Sequence, residues 1–166
     1  MRKTSIVRVA TILAIALYFA LVWGFAGLQA FTSSHLGLED VWRSQTIFVL
    51  GHVFNFGPLG LVKLAAFLAA VKLVAAAFCG LHALDRARGR RRSELLETAL
   101  IIIAAVAAAG CVSGLWSHSN LLFRESTMHL ALATVGIALC VVERALDHAH
   151  DVEAAPVLPE VPYSPF

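Results

Sequence analysis

The chain has 166 residues, of which 59% are apolar and only 14% are charged, and its formal net charge is +2. Soluble domains usually carry about 25% charged residues. The composition therefore excludes an ordinary soluble domain and indicates an integral membrane protein, a setting in which no nucleic-acid partner is expected. The three cysteines stand singly in apolar runs, which is typical of small packed residues rather than of a disulfide framework.

Four apolar runs are long enough to cross a bilayer, which takes about 20 residues in a helix. The predicted spans are residues 6–31, 59–84, 95–117 and 128–146. The first apolar run exceeds the ~7–15 residues of a signal peptide, so we expect an uncleaved signal anchor. The predicted fold class is all-α: a polytopic membrane protein whose residues 1–148 form one domain of four transmembrane helices.

An additional amphipathic helix is predicted between the first two spans, at about residues 39–56. Joined to the second span it would exceed about 40 residues, or about 60 Å, which is longer than a bilayer is thick. A break is therefore required, and Gly57-Pro58 supplies one because proline lacks a backbone donor. Gln45, His52 and Asn55 fall on one helical face, which indicates a helix in the outer interface.

Basic residues predict the orientation, because cytoplasmic loops of membrane proteins carry an excess of Lys and Arg. The connection between the second and third spans is rich in arginine: Arg86, Arg88, Arg90, Arg91 and Arg92. Arg2 and Lys3 precede the first span. We expect both termini in the cytoplasm, a bacterial inner (plasma) membrane, and a proline-rich cytoplasmic tail at residues 149–166.

A lysine stands in the middle of the second span. Lys72 shares a helical stripe with Ala69, Ala76 and Cys79, and small residues mark the places where helices approach each other in lipid. A charge at that depth costs at least ~2.5–3.5 kcal/mol, so a partner is expected. Glu143, on the polar stripe of the fourth span, is the predicted partner in an intramembrane ion pair with Lys72.

Close helix packing is predicted for the third span, where Gly110 and Gly114 are spaced as G-x-x-x-G. This motif lets two backbones approach closely, either within the chain or at a dimer face. The second, third and fourth spans are expected to form the packed centre through their small-residue stripes.

The histidines offer a candidate site for haem b or a transition metal. His118 ends the third predicted span and His129 begins the fourth, so the two are expected at matched depth. His52 of the amphipathic helix could join them. Two histidines on facing helices suit a b-type haem, and imidazole also suits Zn or Cu. His52, His118 and His129 are therefore the candidate ligands.

No catalytic constellation is apparent in the sequence, so no catalytic residues are assigned and an enzyme is not expected. The first hypothesis is a non-catalytic integral membrane subunit or assembly factor of a larger complex. Its partners would be the lipid bilayer and other membrane subunits or further copies of the chain. One alternative is an electron-transfer protein that binds haem or metal with the outer histidines. The other is a small proton-coupled transporter that uses Lys72 and Glu143.

Overall fold

The computed structural model describes residues 2–32, 45–89 and 94–153, and every regular element in these residues is an α-helix. The helices are α1 (Arg2–Thr32), α2 (Gln45–Val53), α3 (Pro58–Ala87), α4 (Glu94–Trp116) and α5 (Asn120–Glu153). All except α2 are long and apolar enough to cross a membrane. The predicted all-α fold, with four spans and one additional short helix, is confirmed, and the chain is a multi-pass membrane protein.

The helix boundaries differ from the prediction mainly in α5. This helix begins at Asn120, eight residues before the predicted start at residue 128, and it continues to Glu153. Ser119 caps it, because its hydroxyl oxygen accepts the Leu122 N–H at 3.4 Å and so satisfies a donor of the first turn. The first residues of the predicted tail are therefore helical, and the tail from residue 154 onward lies outside the described residues.

The short helix α2 packs onto one end of the bundle. Residues 39–44 of its predicted range lie outside the described residues, and the described helix has 9 residues. Ile47 and Val49 are buried at its contacts with α3 and α4, whereas His52 is exposed. Because Ile47 and Val49 are two residues apart, they lie on nearly opposite sides of α2, so the burial of this helix does not follow a single face.

The predicted break between α2 and α3 is present, and it begins before Gly57-Pro58. Asn55 adopts a left-handed backbone with φ of 53°, and the Phe56 N–H donates to the Gly51 carbonyl oxygen at 2.8 Å. This bond across the end of a helix is the Schellman arrangement, which turns the chain sharply. Pro58 then starts α3, where its missing N–H breaks no helical hydrogen bond.

The four long helices form two antiparallel pairs. One pair is α1 with α3 and the other is α4 with α5; α3 and α4 join the pairs, while α1 and α5 meet along a shorter stretch. One end of the bundle carries α2 and the α4–α5 turn, and we call it the α2 end. The opposite end carries the start of α1, the α3–α4 connection and the end of α5, and we call it the termini end. In this arrangement α3 and α5 run in the same direction.

The core draws on all four long helices. Its buried side chains include Ile12, Phe19, Trp23, Cys79, Leu96, Leu100, Ile103, Ala133 and Cys140. The expectation that α3, α4 and α5 alone form the packed centre needs correction, because the Phe19 side chain of α1 is fully buried and that of Trp23 nearly so. In lipid, association depends on packing, and large aromatic rings pack there as well as small residues do.

Candidate functional site

Lys72 lies at the middle of α3, fourteen residues after the first residue of this helix and fifteen before the last. Its side chain is half-buried. Ala65 and Cys79 on the same stripe are fully buried, whereas Phe67 and Val74 elsewhere on the helix are exposed. Lys72 therefore faces the packed side of α3, as its position in the small-residue stripe predicts.

Glu143 has a different partner from the predicted one. Its carboxylate accepts a hydrogen bond from the guanidinium of Arg86, at the last turn of α3. The next residue, Arg144, donates to the Glu97 carboxylate of α4 at 2.6 Å. Within the described residues Lys72 makes no ion pair with Glu143. The structure therefore replaces the predicted Lys72–Glu143 pair with an Arg86–Glu143 pair.

Helix register explains this correction. Arg86 lies opposite Glu143, and Lys72 precedes Arg86 by fourteen residues, or about 21 Å along the helix axis. The predicted start of α5 at residue 128 placed Glu143 too close to the α2 end. Arg86 and Glu143 are 57 residues apart in the sequence, and the residue 57 positions after Lys72 is His129. The same register therefore brings Lys72 to the level of His129 rather than of Glu143.

Two residues of α5 lie near enough to Lys72 to interact with it electrostatically. Glu125 interacts electrostatically with both Lys72 and His129, and Lys72 also interacts with His129. Glu125 is exposed in the second turn of α5, and His129 is half-buried one turn further along. We call Lys72, Glu125 and His129 the Lys72 cluster. It combines an ammonium, a carboxylate and an imidazole in the half of the bundle nearer the α2 end.

Aromatic side chains of α1 surround His129. The Tyr18 hydroxyl lies 3.4 Å from His129 Nε2. The ring centroids of Phe19 and Trp23 lie 5.9 and 6.1 Å from the imidazole, and Trp23 meets it edge-on. Edge-on contacts of this kind are the favoured geometry of neighbouring rings. These contacts fill the space between α1 and α5 and fix the position of His129.

The candidate haem and metal ligands do not share a depth. His118 lies two residues after the end of α4, in the turn that closes it: its φ is 51°, and the following N–H, of Ser119, donates to the Gly114 carbonyl oxygen at 3.0 Å. His129 lies nine residues into α5, about 14 Å from the start of that helix. The matched depth predicted for His118 and His129 is therefore not present, because α5 starts earlier than predicted.

The remaining metal hypothesis also lacks a converging ligand set. Among the described residues, no group of three or more His, Cys, Asp or Glu side chains is arranged to hold a metal ion. His52 is exposed on α2, and His118 is exposed at the α4–α5 turn. The structure thus does not bring His52, His118 and His129 together as one site.

Gly110 and Gly114 lie in the contact between α4 and α5. A Cβ atom on Gly114 would lie 2.8 Å from the backbone nitrogen of Phe123, and one on Gly110 would overlap the Ser126 hydroxyl oxygen. Only a residue without a side chain permits such an approach. Of the two possibilities left open by the sequence, the G-x-x-x-G motif makes an internal contact.

One face of α5 turns a row of mostly small residues away from the bundle. The exposed residues recur at alternating steps of four and three along the helix, which keeps them on one face. They are Thr127, Ala131, Thr134, Ala138, Val141 and Ala145, and we call them the α5 outer stripe. The two threonine hydroxyls donate to carbonyl oxygens one turn earlier, at 2.7 and 2.8 Å, so the stripe presents little polarity.

Three residues carry contacts that the sequence did not indicate. Glu125 lies between the third and fourth predicted spans. Ser119, a residue type that caps helices, is the sequence feature that indicates an earlier helix start. Arg86 belongs to a basic connection that predicts topology. No sequence feature indicates the contact of Tyr18 with His129, because periodicity within α1 does not reveal which face of this helix meets α5.

Comparison of the chain with protein-family models, with curated proteins and with solved structures finds no match. Its function is therefore argued from the residues described above.

Proposed function

We propose that the chain is a non-catalytic integral membrane subunit or assembly factor of a larger membrane complex, and that α5 contacts a transmembrane helix of another subunit. The α5 outer stripe is the observation that carries this proposal. Lipid tails are as apolar as leucine, so small side chains bring no advantage against lipid, whereas they let two helices approach closely. An exposed stripe of this composition fits a helix partner better than it fits lipid.

Large side chains are exposed on other surfaces of the bundle. They include Leu17 and Phe25 on α1 and also Met128 and Val135 on α5 itself, and large apolar residues are well suited to lipid, so the contrast is confined to the α5 outer stripe. Among the four spans, α5 is the least apolar and buries the smallest share of its residues within the bundle. A span with both properties gains the most buried surface when one more helix packs against it.

The proposed setting is a bacterial inner membrane with both termini in the cytoplasm. The arginines of the α3–α4 connection and the basic residues before α1 support this orientation. Reporter fusions to the N-terminus, to the C-terminus and to the α4–α5 turn test it. A reporter that functions outside the cytoplasm when fused to either terminus would contradict the orientation.

Large side chains on the α5 outer stripe test the proposal directly. The test pair is Ala131→Phe with Ala138→Phe. The matched control is Ala70→Phe with Ala77→Phe, two alanines that are also exposed and also seven residues apart, on α3. Native electrophoresis of the protein in a mild detergent measures the assembled fraction. We expect a loss of about tenfold in the test pair only, because overpacking a helix contact costs about 1–3 kcal/mol.

Two results would contradict the proposal. Equal effects of the test and control pairs would show that the stripe has no special role. If mass spectrometry found only copies of this chain in the wild-type band, the chain would form a homo-oligomer and would not be a subunit of a larger complex. Folding of each variant is checked by its helical circular dichroism, so that loss of assembly is not confused with loss of structure.

The haem or metal alternative has less support, because the levels of His118 and His129 differ by about nine helical residues, or ~14 Å. An absorption spectrum of the purified protein, oxidised and then reduced, tests it together with metal analysis. A haem spectrum that is lost in His129→Ala would restore this alternative.

A further inference from the structure

We propose that the Lys72 cluster is a proton-exchange site inside the bundle, in contact with water at the α2 end and closed toward the termini end. The inference goes beyond membership of a complex and does not depend on it. It rests on the position of Lys72 in α3, on the residues that face it, and on the packing of the core beyond it.

The depth of Lys72 requires a polar environment. The helix α3 is about 45 Å long, against a hydrocarbon thickness of about 30 Å, so its middle lies beyond the reach of lipid headgroups. Within the described residues, the Lys72 ammonium makes no hydrogen bond and no ion pair. Three N–H donors in that position need acceptors, and intramembrane ionisable groups usually face a water-filled space or a partner. Water must therefore reach Lys72.

Glu125 marks the direction from which water comes. Its carboxylate is exposed in the second turn of α5 and acts electrostatically on Lys72. His129 interacts electrostatically with Lys72 and is half-buried, with the Tyr18 hydroxyl beside it. These groups come from α1 and α5. At the same level α4 contributes Gly110, which contacts Ser126 and carries no ionisable group.

The core beyond Lys72 is closed. Ala75 and Cys79 are fully buried on α3, and Phe19, Leu100 and Ile103 are fully buried on the neighbouring helices. These side chains belong to one packed apolar cluster. These side chains offer water no polar partners, and a packed apolar interior of this kind stays dry. The site therefore communicates with one side of the membrane only.

The groups present can carry out a balanced proton transfer. Because Lys72 and Glu125 form no ion pair within the described residues, the transfer runs through water between them: the Lys72 ammonium gives a proton to this water, which passes one to the Glu125 carboxylate, and a neutral amine and a neutral carboxylic acid remain. The acid releases this proton to water at the α2 end, and the reverse sequence reloads the amine. His129, at the level of Lys72, can hold the same proton on its imidazole ring.

Cysteine accessibility tests the water path. Cys111 and Cys140 are replaced by alanine, and Cys79 is kept as the marker of the closed core. Lys72→Cys is compared with Val74→Cys, a position at nearly the same depth whose side chain is exposed on the outside of the bundle. A small charged methanethiosulfonate is applied to the protein in vesicles. We expect labelling at position 72 to be at least about tenfold faster, because only a thiol in contact with water forms the reactive thiolate.

Two labelling results would overturn the proposal. Equal rates at positions 72 and 74 would mean that no water path distinguishes the inside of the bundle from lipid. Labelling of Cys79 as fast as of position 72 would mean that the path is not closed.

A second measurement uses the native lysine. Infrared difference spectra between acidic and neutral pH, recorded on protein in nanodiscs, report the carboxylic acid that takes up a proton. The expected band disappears in Glu125→Gln and changes frequency in Lys72→Met, but not in Lys63→Met, which removes an exposed lysine from the same helix. A band that is the same in Lys72→Met and in the wild-type protein would overturn proton exchange between the two groups.

Discussion

Replacement of Gly114 by alanine tests the close backbone contact between α4 and α5. The new methyl group would lie 2.8 Å from the Phe123 nitrogen, 2.9 Å from its Cα and 3.0 Å from its Cβ, whereas carbon atoms pack at about 3.5–4.0 Å. Two of these atoms belong to the backbone, so no change of rotamer relieves the overlap and the helices must move apart. We expect Gly114→Ala to lower the free energy of unfolding by about 1–3 kcal/mol, the usual cost of overpacking.

Gly80→Ala is the matched control. A methyl group at Gly80, also within a transmembrane helix, would have no atom within 4 Å. This substitution should be neutral or stabilising by up to ~1 kcal/mol, because alanine favours a helix more than glycine does. Unfolding of both variants by SDS in mixed micelles, followed by circular dichroism, gives the two free energies. Equal stability of Gly114→Ala and Gly80→Ala would refute the argument that close backbone approach holds α4 against α5.

Gly110→Ala extends the same experiment. Its added methyl group would meet the Ser126 hydroxyl, which is a side chain and can move. We therefore expect a smaller loss than for Gly114→Ala. The double variant Gly110→Ala with Ser126→Ala should recover most of that loss, because it removes the overlapping oxygen.

Other predictions concern the ion pairs and the end of α4. In a double-mutant cycle on the free energy of unfolding, Arg86→Ala and Glu143→Ala should show a coupling energy of about 0.5–3 kcal/mol. The effects of Lys72→Ala and Glu143→Ala should instead be additive. Coupling between Lys72 and Glu143 without coupling between Arg86 and Glu143 would contradict the observed register. Arg144→Ala should cost less than about 1 kcal/mol in the same unfolding assay, because this arginine side chain is 60% exposed. His118→Gly should leave the melting temperature unchanged or raise it, since glycine relieves the left-handed backbone; a marked fall would point to a role for the imidazole.

The fold was largely predictable because its main signal is composition. Four long apolar runs required four spans, and the excess length before Pro58 required a break there. The packed face of α3 also followed from its small residues: Ala69, Ala76 and Cys79 are buried as their stripe predicted. These features depend on local sequence, which helical periodicity makes visible.

The site was less predictable, because it depends on the register between helices. The residues from Arg124 to Thr127 are polar and lie outside the predicted spans, although they form the second turn of α5. Moving that start by eight residues shifts the helix by about 12 Å. The shift separates His118 from His129 and brings Arg86, rather than Lys72, to Glu143. An error at one helix end was thus enough to change every predicted pair that involved α5.

The electrostatic interaction between Lys72 and Glu125 also has a consequence for biosynthesis. The ribosome adds Glu125 fifty-three residues after Lys72, which takes roughly 3–10 s at ~5–20 residues per second. During that time the chain contains Lys72 but not the carboxylate that later interacts with it. A nascent chain that stops before α5 therefore keeps an uncompensated charge in its second span, and this charge distinguishes an incomplete molecule from a finished one.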